Sequence, residues 1–321
     1  MSTRNSSEVF VGLDVSKAHV DVCVINGAKQ LLGSGRVRRT PAALKQLAQR
    51  LDPQAGVVME ATGGLEALPA AVLEAAGIPT RVENPAKIRN FALSHGLLEK
   101  TDRLDARVLA EFARERRPRP RQPPDPRVEA LSKLVARRSQ LVRLRAAQRT
   151  RLHGETEPFC RRSLGQTILA LSQQIDDCEQ EMRQRVGACP QLSARARLLL
   201  SAPGVGEQTA YALLAWLPEL GCFNRGQIAK LVGVAPLVKQ SGRWRGRVMV
   251  LGGRARVRCS LYLAALSAVR RHGCYREFYF RLLDRGKAKK LALIAVARKL
   301  LLTLNQMLLT SSLWENSCDT A

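Results

Sequence analysis

A chain of 321 residues that is 45% hydrophobic is long enough for two domains with real cores, and this composition excludes a disordered polymer. Its 52 Lys and Arg against 27 Asp and Glu leave a formal charge of +25, a self-repulsion that a polyanion relieves, so nucleic acid is the expected partner. The opening MSTRNSSEVFVGLD lacks the apolar stretch of a secretory signal, and no uninterrupted apolar run approaches the ~20 residues of a bilayer span, which points to a cytoplasmic protein and away from a membrane.

From Val9 to Arg38 β-branched and polar residues alternate, with turn signals at Ser16-Lys17 and Asn26-Gly27, and predict a three-stranded meander. A short helix over 41–51, a buried strand over 56–60 (GVVME), a helix over 64–76 and a fifth strand in IPTRVE follow, after which helices take over. This mixture predicts an α/β domain over 1–117. RERRPRPRQPPDP, residues 114–126, cannot be a helix interior and reads as a basic linker. Apolar residues at helical spacing from Arg127, and again from Ser163 to about Val186, flank the break HGETEPF. They predict either an antiparallel hairpin or a dimerising coiled coil, placing a middle region over 118–190.

The last region, 191–321, reads as helical with basic loops, including helices over 249–266 and 290–309. LLLSAPGVGEQTAYALLAWL sets Gly204 and Gly206 between two apolar helical stretches, the pattern of a helix-hairpin-helix whose backbone N–H groups approach a DNA phosphate, or of an ordinary helix-helix turn. Eight cysteines without a C-x-x-C pair fit reduced thiols, and His19, His95, His153 and His272 show no ligand spacing.

Asp14 ends the first strand in VGLDVSK and Glu60 the fourth in VVMEATGG, while Asp102 and Asp105 share one face of the first helical turn of KTDRLDARVLAEFA. Taken singly, Asp102 is a helix-starting residue, Asp105 a partner for Arg103 or Arg107, and Glu60 a turn acid. Together on a ribonuclease-H-like sheet, four carboxylates repel unless a hard divalent cation, Mg²⁺ or Mn²⁺, sits between them. Such a site suits in-line phosphoryl displacement.

The segments GLDVSKAHVDV, VVMEATGG, ENPAKIRNFALSHG, KTDRLDARVLAEFA, APGVG, LVGVAPLVKQSGRWRG and GGRARVRCSLYLAAL occur in this order. The chain thereby resembles the bridge-RNA-guided insertion-sequence transposases of the DEDD-plus-serine class over nearly its whole length. Leu104, where Ile is expected, and Glu83, where a neutral or apolar residue is usual, depart from the pattern; neither is expected to touch the chemistry. The resemblance implies a RuvC-like N-terminal domain, a coiled-coil middle and a mainly α C-terminal transposase domain. It makes Asp14, Glu60, Asp102 and Asp105 the metal-binding acids and Ser241 the nucleophile. It also implies a guide (bridge) RNA, target and donor DNA, and a tetramer, a dimer of dimers, whose sites combine acids of one subunit with the serine of another.

A seryl attack would conserve the phosphodiester energy as a phosphoserine ester, which hydrolysis would discard. Lys239, Arg243, Arg245 and Arg247 are suited to gripping the phosphate. The competing reading makes QSGRWRG a hairpin turn whose arginines hold a nucleic-acid backbone while Trp244 stacks on a base or fills a gap. An RNA-guided recombinase is therefore expected, with a metal-dependent junction-resolving nuclease and a noncatalytic nucleic-acid-binding protein as the other classes.

Overall fold

The structure is a computed structural model. It describes residues 8–97, 102–120, 125–236, 240–241, 244–245, 250 and 252–315; for 102–104, 240–241 and 244–245 it describes the backbone. The chain divides into two compact units, Met1–Pro123 and Pro124–Ala321.

In the first unit the meander forms as β1 (Val9–Val15), β2 (His19–Asn26) and β3 (Leu31–Arg38), followed by α1 (Pro41–Arg50), β4 (Gly56–Glu60), α2 (Ala67–Ala75), β5 (Thr80–Glu83), α3 (Pro85–Ser94) and α4 (Asp102–Arg116). Local chemistry sets the turns: the Ser16 hydroxyl donates to His19 O at 2.8 Å, and the Asn26 side-chain oxygen accepts from the amides of Ala28 and Gln30. Thr40 and Asn84 cap α1 and α3 just ahead of Pro41 and Pro85, whose fixed φ suits a first helical position.

The sheet order is β3-β2-β1-β4-β5, antiparallel from β3 to β1 and parallel from β1 to β5. An antiparallel meander extended by parallel strands through helical crossovers is the expected ribonuclease-H-like fold. Alternation divides the buried residues between two faces. Val11, Leu13, Val57 and Met59 pack with Leu44, Leu47 and Leu73 of α1 and α2, whereas Phe10, Cys23, Ile25 and Val58 pack with Ile88 and Phe91 of α3 and with Leu109 and Phe112 of α4.

The second unit is mostly helical: α5 (Pro126–Gly154), α6 (Pro158–Gly187), α7 (Pro190–Ser201), α8 (Glu207–Trp216), α9 (Arg225–Val232), α10 (Ala255–Arg271), α11 (Gly273–Asp284) and α12 (Lys289–Thr310), with a two-residue ribbon of β6 (Gln240–Ser241) and β7 (Trp244–Arg245). The helices α5 and α6 form an antiparallel hairpin, tied by Arg138 to Glu179 at 2.7 Å and Arg145 to Ser172 at 3.2 Å. The helix α6 starts at Pro158, five residues ahead of the predicted Ser163, because Glu157 caps it by accepting from the Cys160 amide at 2.6 Å. The helix predicted from Met249 starts instead at Ala255 as α10, since Gly252 and Gly253 both hold φ 70°.

By length and composition α12, the helix expected over 290–309, is long and apolar enough to cross a bilayer. Its apolar side is used internally: Val296, Leu300, Leu301 and Leu304 are fully buried in the unit's core. Among the described residues six cysteines are free thiols, as expected, and Cys274 is disulfide-bonded, which corrects that expectation at this position.

Candidate active site and nucleic-acid interface

Asp14 and Glu60 lie at the carboxyl ends of neighbouring parallel strands, one position beyond the Leu13–Met59 pair. Parallel neighbours in register point the same way. Because Leu13 and Met59 face α1 and α2, the alternation turns Asp14 and Glu60 to the other face, beneath α4.

The helix α4 is placed by a glycine. A Cβ built on Gly12 would stand 2.0 Å from Ala106 O and 2.4 Å from Ala110 N, so the helix backbone rests directly on β1 at this point. At the other end of α4 the Arg117 guanidinium lies 5.6 Å from the Phe10 ring centre and binds the Glu8 carboxylate. The helix therefore runs antiparallel to β1. Its first turn, with Asp102 and Asp105, arrives at the end of the sheet where Asp14 and Glu60 stand, and all three described side chains, Asp14, Glu60 and Asp105, are partly buried. The Asp102 side chain lies outside the described residues.

The register also reveals what the sequence reading missed. Asp14 pairs with Asp21, Asp21 with Arg36, and Glu60 with Glu83. One row across the sheet therefore reads Arg36, Asp21, Asp14, Glu60, Glu83, with a charged residue from every strand on the α4 side. Glu83, read from the sequence only as a departure from the family pattern, sits on the strand beside Glu60. The signal in the sequence was its place ending a strand, as Glu60 ends one.

The outer acids carry their own cations. Arg36 donates from Nε and Nη2 to the two Asp21 carboxylate oxygens at 2.9 and 3.0 Å. Arg81 donates to Glu83 Oε1 at 3.0 Å and Lys87 to Oε2 at 3.0 Å. Burial opposes the charge on Glu83, but hydrogen bonds from Lys87 and Arg81 and their positive charges outweigh it, leaving its carboxyl below the usual carboxylate value.

A donor set made only of carboxylates suits a hard divalent cation. Among the described residues, however, no three His, Cys, Asp or Glu side chains converge closely enough to hold an ion. The fit thus rests on donor chemistry and on the shared face.

In the second unit Ser241 pairs with Trp244 and Gln240 with Arg245, antiparallel, so Ser241 ends β6 opposite the start of β7. Lys239, Arg243 and Arg247 lie outside the described residues, as do the side chains of Ser241, Trp244 and Arg245. The base of this excursion is firmly built. A Cβ on Gly253 would lie 2.3 Å from Gly233 N, the Arg254 amide donates to Leu231 O at 3.0 Å, and Arg258 donates to Gly252 O at 2.6 Å. The chain leaves α9 and enters α10 at adjacent points.

The two glycines of the α7–α8 turn differ. Gly204, at φ 80°, lies against α10, where a Cβ would be 2.4 Å from Ala264 O, so it has a packing role. Gly206 is exposed at the start of α8 with nothing within 4 Å of an added Cβ.

Two family profiles match the chain, one described as a transposase of the DEDD IS110 type over residues 11–155 and one as transposase IS116/IS110/IS902 family over 196–280. Together they span more than two thirds of it, and they enclose all five candidate catalytic positions. The chain belongs to the IS110/IS116 family of transposases.

The pilin gene-inverting proteins of Moraxella lacunata and Moraxella bovis are each 29% identical to the transposase over 224 residues, 68% of this chain and 69% of theirs. An insertion element IS116 protein of Streptomyces clavuligerus is 28% identical over 172 residues, covering 53% of the transposase and 40% of that protein. Among solved structures, Thermus thermophilus RuvC in complex with a Holliday junction substrate aligns with 36% of the transposase and 99% of its own chain, at 17% identity and a TM-score of 0.28.

Proposed function

We propose that this transposase exchanges DNA strands through a covalent serine intermediate, with Asp14, Glu60, Asp102 and Asp105 as the acids of the strand-processing site and Ser241 as the nucleophile. The observation that carries the reading is the register: Asp14 and Glu60 share one face of parallel neighbours, and α4 brings the Asp105 turn to the same end. That face belongs to the profile-matched segment of a chain with charge +25.

In the proposed step the Ser241 hydroxyl oxygen attacks the scissile phosphorus. A serine ester bond forms, the bond to the 3′ oxygen breaks, and the serine proton is balanced by protonation of the departing 3′ oxygen. A second strand's 3′-hydroxyl then reverses the step, so phosphodiester energy is retained. Mg²⁺ or Mn²⁺ held by the four acids would supply stabilisation of charge on the attacking and leaving oxygens. Arg243, Arg245 and Arg247, with Lys239, would hold the phosphate, and the Gly206 end of α8 would offer backbone N–H groups to a second one.

The proposal extends to a guide RNA that pairs with target and donor DNA, and to a tetramer in which acids and serine come from different subunits. These rest on the family resemblance and on the positive charge.

The test is a covalent adduct. Incubation with DNA carrying the element's ends should give a protein-DNA species resistant to denaturation, absent from Ser241→Ala, with cleavage lost in Asp105→Asn. Cleaved DNA without any adduct would instead make the protein a nuclease, and recombination surviving in Asp102→Asn and Asp105→Asn would remove the acids from the chemistry.

A further inference from the structure

Glu83 is a costly residue to bury. Only 4% of it is exposed, at the edge of a sheet in a protein with surplus positive charge, and it holds two cations at once, Arg81 and Lys87. A third contact, from the Asn84 amide at 3.3 Å, fixes the carboxylate against the start of α3. The two cations are thereby oriented while remaining open to solvent, with 38% of the Arg81 side chain and 61% of that of Lys87 exposed.

They form one bank of an open groove of about 720 Å³ along β5, between α3 and the carboxyl-terminal half of α4. Phe91 and Phe112, edge to face with ring centres 5.3 Å apart, give it an apolar floor. Asn90 and Ser94 add hydrogen-bonding groups, and Arg116 and Arg119 stand on the far side. Glu83 is the one acid among the described lining residues, and its charge is already matched by Arg81 and Lys87. The surface offered to a ligand is therefore cationic.

Its placement gives it a meaning. The groove opens at Glu83, next to Glu60 in register, and Arg116 lies eleven residues beyond Asp105, about 16 Å along the helix. We infer that this groove binds the phosphodiester backbone of the DNA strand leading away from the acid row, with Arg81 and Lys87 as phosphate contacts and Glu83 as the residue that positions them. This rests on reading the acid row as the strand-processing site. Fixed cations lose less freedom on meeting a phosphate than free side chains, which is the use of a buried acid beneath them.

The experiment compares full-length variants by fluorescence anisotropy with a labelled DNA duplex at 50 to 200 mM salt. Loss of two phosphate contacts in Arg81→Ala/Lys87→Ala should lower the slope of log K against log salt by about 1.8 and shrink the affinity change across this range about tenfold. Lys45→Ala/Arg50→Ala, which removes two cations from α1 on the opposite face, should leave the slope unchanged. Arg81→Lys/Lys87→Arg, which keeps the charges, should restore it.

Equal effects of the two alanine pairs, or no effect of either, would overturn the inference. So would failure of the charge-conserving pair in a folded protein, or a loss confined to structured RNA. Binding reads the groove whether or not Ser241 forms an adduct, so the adduct assay can fail while this one succeeds.

Discussion

Replacing Gly12 by alanine tests whether a glycine seats the helix that carries Asp105. The added Cβ would be 2.0 Å from Ala106 O, 2.4 Å from Ala110 N and 2.8 Å from Leu109 Cβ, against a usual carbon-carbon contact of about 3.5 Å or more. Two of these atoms are helix backbone and cannot rotate aside, so α4 must withdraw by about 1 Å. Ala106, Leu109, Ala110 and Ala113 are at most 2% exposed, and all loosen together.

Overpacking of this kind costs about 3 kcal/mol, of which alanine returns about 0.5 to 1 through the entropy of the unfolded chain, for a net loss of about 2 kcal/mol. For a unit of this size that is a fall of roughly 6 to 10 °C in its melting transition. Asp105 moves with the helix, and if it serves the proposed strand-processing site a displacement of about 1 Å there costs on the order of 100-fold in rate. Calorimetry of the first unit's transition and a strand-cleavage assay measure the two effects. Gly35→Ala, in the same sheet but with nothing within 4 Å of the new Cβ, is the control and should shift stability by less than about 0.5 kcal/mol. Equal melting of Gly12→Ala and Gly35→Ala would refute the seating of α4 on β1.

Glu83→Gln should destabilise the first unit at neutral pH and flatten its acid response. The folded carboxyl titrates below its unfolded value, so its contribution is full above the ordinary glutamate range and is lost as pH falls through the depressed value; denaturation midpoints between pH 7 and 3 follow this. Gly253→Ala should cost the second unit about 2 to 3 kcal/mol in chemical denaturation, because φ is 70° and the new Cβ would meet Gly233 N at 2.3 Å and Val232 C at 2.4 Å. Asn305→Leu should cost about 3 kcal/mol by the same measure. Asn305 is 3% exposed, accepts from the Gly221 amide and donates to Phe223 O, both at 2.9 Å, and leucine leaves both backbone groups unpaired.

The sequence by itself determined the local elements of this protein. Alternation between Val9 and Arg38, the Asn26 turn, and a capping residue before proline at Pro41, Pro85, Pro126 and Pro158 are short-range chemistry, so strands and helix starts are legible within a few residues. The type of each candidate acid and its place at a strand end or in a first helical turn were equally plain. The Gly252-Gly253 pair was visible too, but its consequence was not, because the delayed start of α10 follows from φ and from close approach to Gly233.

Tertiary structure decided which distant residues share a face. Strand order and register put Asp21 beside Asp14 and Glu83 beside Glu60, and the approach of α4 at Gly12 turned Asp105 to the same end. It also made the two middle helices an antiparallel hairpin, through pairs such as Arg138 with Glu179. The physical reason is that alternation fixes a side chain's face only relative to its own strand. Long-range pairing and close packing choose its neighbours, and a single-residue change of register would replace every one of them.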